Sequence, residues 1–267
     1  MRDIIRQVVN VLGTIAVIVV NALATALPLN GLTTGEISDR FDVYFVPAGY
    51  VFSIWGLIYI GLLAFSVYQA LPSQRENPRL RRIGYWYALS CAANIAWIFL
   101  WHYEHFVWTL VAMVVLLLCL IAIYLRIGIG RTRVNPVETW LVRVPFSIYL
   151  GWITVATVAN VTSLLDYLNW GRWGLSEEVW GVLILIVAGI IASLVSLSRG
   201  DVAYVLVILW AYAGIAVKHS DTLSIFITAI VVASIVALTL IVGVPVTRTR
   251  LLDWQKEQPE EGIRHRW

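Results

Sequence analysis

Trp55, Trp97 and Trp152 each have a companion at helical spacing: Tyr59 four residues after Trp55, Asn94 three before Trp97, and Asn160 eight after Trp152. On a helix such spacings place both side chains on one face. Indole and phenol rings offer flat surface to a planar apolar ligand. Amide side chains hold and orient the few polar groups such a ligand carries. These six residues form the candidate ligand-binding set, and neither a catalytic nor a metal-ligating residue is assigned. Asparagine also serves as hydrogen-bonding glue between membrane helices, and an aromatic core without a ligand meets the same pattern.

Other chemistry has less to stand on. His102 and His105 flank Glu104 in "WHYEHF", a metal site only if the turn is helical and further ligands converge. No phosphate-binding glycine pattern follows a strand. The 16 carboxylates and four histidines all lie outside the expected spans or at their ends. Pumps and proton relays keep ionisable groups at depth, and acid–base catalysis needs such groups in the site. An enzyme is therefore disfavoured; one acting on a bound ligand would depend on tryptophan or tyrosine redox chemistry.

The elements that must position these side chains follow from composition. Of 267 residues, 60% are hydrophobic and 13% charged, with a mean hydropathy of +0.81; a soluble domain carries roughly 25% charged residues. Apolar stretches recur near 8–27, 49–70, 84–103, 106–127, 141–163, 178–197, 202–217 and 222–245, several close to the ~20 residues that cross a bilayer. The chain reads as an all-α integral membrane protein of eight spans. "MVVLLLCLIAIYL" does not alternate as a barrel strand would. The first stretch is longer than the apolar core of a signal peptide.

Of the 19 Lys and Arg residues, only Arg40, Arg172 and Lys218 fall on the side opposite the termini. That asymmetry predicts both termini in the cytoplasm and the loop between spans 1 and 2 outside. If the host is bacterial, the inner membrane is the expected location. The arginines are scattered short-loop anchors, so no nucleic-acid partner is expected. The expected partners are the bilayer and a hydrophobic small molecule; a homo-oligomer is left open. Cys91 and Cys119 read as small packing residues.

Uncharged polar residues form stripes: Asn10, Thr14, Asn21 and Thr25 on span 1, Ser90, Asn94, Trp97 and Trp101 on span 3, Tyr149, Trp152, Ala156 and Asn160 on span 5. Phe52, Trp55, Tyr59 and Leu62 repeat the rhythm on span 2. Trp86, Trp108, Trp140, Trp170, Trp173 and Trp180 sit near span ends, where amphipathic rings belong. Trp55, Trp97, Trp152 and Trp210 lie deeper.

Three segments carry a family resemblance. "PAGYVFSIWGLIY" gives Pro47, Phe52, Trp55 and Tyr59; "CAANIAWIFLW" gives Asn94 and Trp97; "VPFSIYLGWITVATVAN" gives Pro145, Trp152, Ala156 and Asn160. In this order the chain resembles the TspO/MBR family of tryptophan-rich sensory proteins, which includes the translocator protein or peripheral benzodiazepine receptor. The resemblance implies a TspO-like five-helix transmembrane bundle over residues 1–165. It also implies a porphyrin, haem-like tetrapyrrole or sterol ligand under a lid formed by the first loop. The chain departs from the pattern where Val46 replaces a proline, and where Gly49 and Tyr50 stand in place of a tryptophan.

Residues 166–247 add three C-terminal transmembrane helices, without a repeat of the first five and so without inverted-repeat symmetry. Residues 248–267 read as a polar cytoplasmic tail. Pro47 is expected in the first turn of span 2, and Gly49, Gly56 and Gly61 as points of close helix approach. The leading expectation is binding of a hydrophobic planar ligand, tetrapyrrole or sterol-like, for sensing or transfer, with no tightly bound cofactor. The alternative is a transporter of a small neutral or amphipathic solute through the eight-helix bundle, with a continuous polar path along the Asn10–Thr25 stripe.

Overall fold

The structure is a computed structural model and describes residues 1–27 and 29–257. Among these, eight long helices occur and no strand: α1 (Arg2–Ala26), α2 (Ile54–Ala70), α3 (Trp86–His102), α4 (Phe106–Arg126), α5 (Val144–Tyr167), α6 (Glu177–Arg199), α7 (Val202–Lys218) and α8 (Leu223–Glu257). Six stretches are long and apolar enough to cross a membrane: Arg2–Ala26, Gly49–Ala70, Phe106–Arg126, Pro136–Tyr167, Glu177–Arg199 and Leu223–Asp253. α3 and α7 have 17 residues each. The segment expected as a polar tail begins as helix, since α8 continues to Glu257; residues 258–267 lie outside the described ones.

α1 shows how these helices are turned. Its buried residues are Arg6, Gln7, Asn10, Thr14, Val17, Asn21 and Ala24. Ile5, Val8, Leu12, Ile15, Val19 and Leu23 are exposed. Water would favour the reverse; lipid does not penalise apolar side chains on the outside, while polar groups must find partners inside. Thr14 and Asn21 do: Thr14 Oγ1 lies 3.1 Å from Ser66 Oγ and 2.7 Å from Tyr87 Oη, and Asn21 Nδ2 donates to Asn94 Oδ1 at 2.8 Å, whereas Asn10 Oδ1 is buried without a partner. Thr14 and Asn21 thus bond α1 to α2 and α3, while Thr25 is exposed and its hydroxyl donates to Asn21 O of its own helix.

The first five helices close a ring. α1 packs on α2 and α3, α3 on α4, α4 on α5, and α5 on α2. α7 packs on the outside of α5 and on the 3-10 turn Gly49–Ser53, and α8 packs on α6 and α7. A Cβ on Gly151 of α5 would lie 3.1 Å from Tyr204 O of α7, so a small residue sets that approach.

Two local expectations are corrected. Pro47 precedes the turn, whose N-cap is Ala48; its role is contact, since a Cβ on Gly214 of α7 would lie 3.1 Å from Pro47 Cβ. Of the three span 2 glycines only Gly61 meets a neighbouring helix, at Pro145 of α5, while Gly49 and Gly56 face open space.

Candidate ligand cavity

The ring encloses a cavity with about 60 Å³ of room for the centres of water molecules. Trp55, Asn94, Trp97, Trp152 and Asn160 line it, brought together from α2, α3 and α5. Tyr59 does not; it stacks on Trp55 with ring centres 5.6 Å apart and planes 23° apart, so it supports a lining ring. Trp97 is similarly stacked on Trp101, at 5.4 Å and 18°, and Trp152 takes edge-to-face contacts from Phe52 and Trp55. The pocket wall is thus made of rings locked by other rings.

The two asparagines do different things. Both polar atoms of Asn94 have a partner: its Oδ1 accepts from Asn21, and its Nδ2 donates to Tyr149 Oη at 3.1 Å. Asn160 Nδ2 donates to Thr109 Oγ1 at 3.0 Å. Thr109 commits its single hydroxyl proton to Phe106 O at 2.6 Å, so toward Asn160 it can only accept. That fixes the amide orientation and leaves Asn160 Oδ1 buried without a partner. Trp97 Nε1 and Trp152 Nε1 are also buried and unpartnered. An unpaired buried polar group costs about 1–3 kcal/mol. Two donors and one acceptor of this kind therefore belong to residues around one small cavity.

The 29–48 segment forms one side of the cavity. Thr33 and Glu36 form a reciprocal capping box at the start of the short helix Thr34–Ser38, and Thr34, Ser38, Val46 and Pro47 line the cavity from this side. Trp101 Nε1 donates to Thr34 O at 3.1 Å, and Asn30 Nδ2 to His102 O at 3.0 Å. Ile37 packs with Trp101, Phe106 and Leu164. Two ion pairs tie the outer rim: Arg40 Nη1 to Glu104 Oε1 at 2.5 Å and Lys218 Nζ to Asp39 Oδ1 at 2.8 Å. The second comes from α7, so the C-terminal helices hold this segment as well.

His102 is buried with its Nε2 3.3 Å from Thr34 Oγ1, and His105 is exposed. Glu104 is engaged with Arg40. The histidines thus do not share a site, and among the described residues no group of three His, Cys, Asp or Glu could hold a metal. Trp210, expected to be deep, is 39% exposed, though its Nε1 does find Val51 O at 3.1 Å.

Sequence reasoning passed over several contributors. Trp101 stood on the α3 stripe one turn after Trp97, and Ser163 stands three residues after Asn160; both line the cavity. Thr109 gave no local signal, because its role depends on α4 lying against α5.

The family comparison bears on the whole arrangement. The family model described as TSPO-like protein matches residues 7–242. The chain belongs to the TSPO-like protein family. The match runs through α6 and α7 into α8, beyond the five-helix part that carries the sequence motifs. No curated protein and no solved structure matches the chain. Membership and the exposed apolar helices make this a multi-pass membrane protein of that family.

The rim pairs give a pH prediction. The Arg40 guanidinium holds the Glu104 carboxyl below its ordinary value of 4.5. A depressed carboxyl stabilises the folded form above the unpaired value, and that contribution is lost as pH falls through 4.5 and below. Both side chains are half-exposed, so the effect is small. Glu104→Gln is expected to lower the thermal unfolding midpoint slightly at neutral pH and to remove this pair's share of the parent protein's loss of stability below pH 4.5, as thermal melts across that range would show.

Proposed function

We propose that the protein binds a flat, largely apolar ligand with hydrogen-bonding groups, of the tetrapyrrole class, in the cavity beneath the 29–48 lid, for sensing or transfer. The observation that carries this reading is the set of unpartnered groups, Trp97 Nε1, Trp152 Nε1 and Asn160 Oδ1, on residues lining an aromatic cavity. A ligand presenting acceptors to the indoles and a donor to Asn160 would satisfy all three. Ligand pockets for such molecules hold ~300–1,000 Å³, against about 60 Å³ here. The cavity as described is too small for such a ligand, so binding on this reading widens it, with the 29–48 lid as the part that moves. Its outer rim is held by two exposed ion pairs, worth about 0–1 kcal/mol each, so opening there is inexpensive.

The reading places all eight helices across the membrane. At ~1.5 Å per residue the 17-residue α3 and α7 span ~26 Å, at the short end of the workable range. The arginines of the 75–82 and 126–133 connections lie together: Arg79 Nη2 donates to Arg133 O and Arg126 Nη1 to Arg82 O. That end would face the cytoplasm and the lid the opposite side.

Protoporphyrin IX titrated into the detergent-solubilised protein, followed by tryptophan fluorescence, tests the binding. Saturable quenching is expected, with affinity about tenfold weaker in Trp97→Phe and Trp152→Phe and unchanged in Trp108→Phe, whose ring is 62% exposed. Non-saturable quenching identical in every variant would mean partition into detergent and would remove the proposal.

A further inference from the structure

A second hollow, about 850 Å³ on the same measure, opens between α2, α5, α7 and α8 on the outside of the ring. It is unrelated to the lidded cavity, with which it shares no lining residue. Its wall is apolar, with Ile54, Leu57, Ile148 and Leu206, and its rim carries Arg143, Arg199 and Arg248. Plain lipid contact would explain the wall, and the cytoplasmic bias of basic residues would put cations at this end; neither requires three of them around one groove.

Among the described residues none of the three arginines is in a close ion pair, although Glu138 and Asp201 act on Arg143 from farther off. Arg143 donates to Thr132 O at 2.6 Å and Ile127 O at 3.0 Å, and Arg199 to Ile129 O at 3.2 Å. Carbonyls position a guanidinium and leave its charge standing. Arg143 Nε is buried and unpartnered. The one carboxylate in the wall, Asp201, accepts from Ser147 Oγ at 2.6 Å and Tyr204 N at 3.2 Å. Among the described residues no ion pair within 4.0 Å includes any of the three arginines.

Depth also fits. The groove follows α7 from Val202 to Trp210, eight residues or ~12 Å of rise, close to half of the ~30 Å hydrocarbon thickness. We infer that the groove holds one anionic phospholipid of the leaflet at the arginine-rich end. Its phosphate lies against Arg143, Arg199 and Arg248, and its acyl chains run along α2, α5 and α7.

Native mass spectrometry of the detergent-purified full chain with equal phosphatidylglycerol and phosphatidylcholine tests this. One phosphatidylglycerol is expected to be retained at least tenfold over phosphatidylcholine. Arg248→Gln, on the exposed face of α8, should cut that preference about fivefold, the ~1 kcal/mol that one basic residue contributes near a charged headgroup; Arg248→Lys should restore it. Leu206→Trp, which fills the groove, should remove the adduct while leaving the protoporphyrin titration unchanged. Equal retention of the two lipids, or a preference untouched by both Arg248→Gln and Leu206→Trp, would overturn the assignment. Loss of protoporphyrin binding in a folded Leu206→Trp protein would place the tetrapyrrole in the groove instead, and would overturn it too.

Discussion

Leucine at position 214 is expected to unseat α7 from the ring and to lower thermal stability by several degrees. A single Cβ there would lie 2.1 Å from Val51 Cγ2 and 3.1 Å from Pro47 Cβ, and Val51 is fully buried, so the side chain has nowhere to go. Overpacking of this kind costs about 1–3 kcal/mol, sometimes more. Two hydrogen bonds cross the same contact, Ala48 N–H to Gly214 O at 3.1 Å and Trp210 Nε1–H to Val51 O, and both lengthen if the helix moves away. Because Pro47 lines the cavity, affinity for the ligand should fall with stability. Cys91 and Cys119 are buried and free, so a thiol-reactive dye reports unfolding directly. Gly56→Ala is the control: its Cβ meets nothing within 4 Å, and removing a helical glycine is neutral or stabilising by up to ~1 kcal/mol.

The two asparagines should separate stability from affinity. Asn94→Leu strips Tyr149 Oη of its donor and Asn21 Nδ2 of one of its two acceptors, the other being Val17 O. An orphaned buried group costs about 1–3 kcal/mol, and measured values between membrane helices lie toward the low end. A clear drop in the dye-reported midpoint is expected. Asn160→Leu leaves Thr109 donating to Phe106 O and removes an acceptor that had no protein partner. Its stability should hold or rise while affinity for protoporphyrin IX falls about tenfold or more. If Asn160→Leu is the destabilised variant and still binds normally, the buried carbonyl oxygen is not a ligand contact.

Much of the ring could be read from spacing alone. The stripes on α3 and α5, and on α1 as far as Asn21, face inward because a lipid-embedded helix must satisfy its polar groups against its neighbours, and a period of 3.6 shows that face in the sequence; Thr25, one turn on, is exposed. What spacing does not carry is which neighbour answers. Asn94 and Asn160 look alike as letters; Asn21 and Tyr149 give both polar atoms of one a partner, while Thr109 leaves the other's Oδ1 open. Trp55 and Tyr59 share a face, yet the cavity begins at Trp55, so Tyr59 became a support. Gly56 and Gly61 are equally small, but only Gly61 has Pro145 opposite. Asp201 sits at the end of α7, where a carboxylate caps the helix by accepting from Tyr204 N, and its burial follows from Ser147 on a helix 54 residues away. The lid ties, Arg40 to Glu104 and Lys218 to Asp39, are likewise long-range and leave no local trace.

The most direct test of a lidded cavity is to lock the lid. Arg40→Cys with Glu104→Cys, joined by a short cleavable bis-maleimide, replaces the rim ion pair by a covalent tie; Cys91 and Cys119 stay out of reach while the protein is folded. The uncrosslinked double variant is expected to show saturable protoporphyrin IX quenching at least as fast as the parent, the crosslinked protein none, and cleavage of the linker should bring it back. Undiminished saturable quenching in the locked protein would mean that the ligand reaches its tryptophans by another route, and that the 29–48 segment does not guard the site.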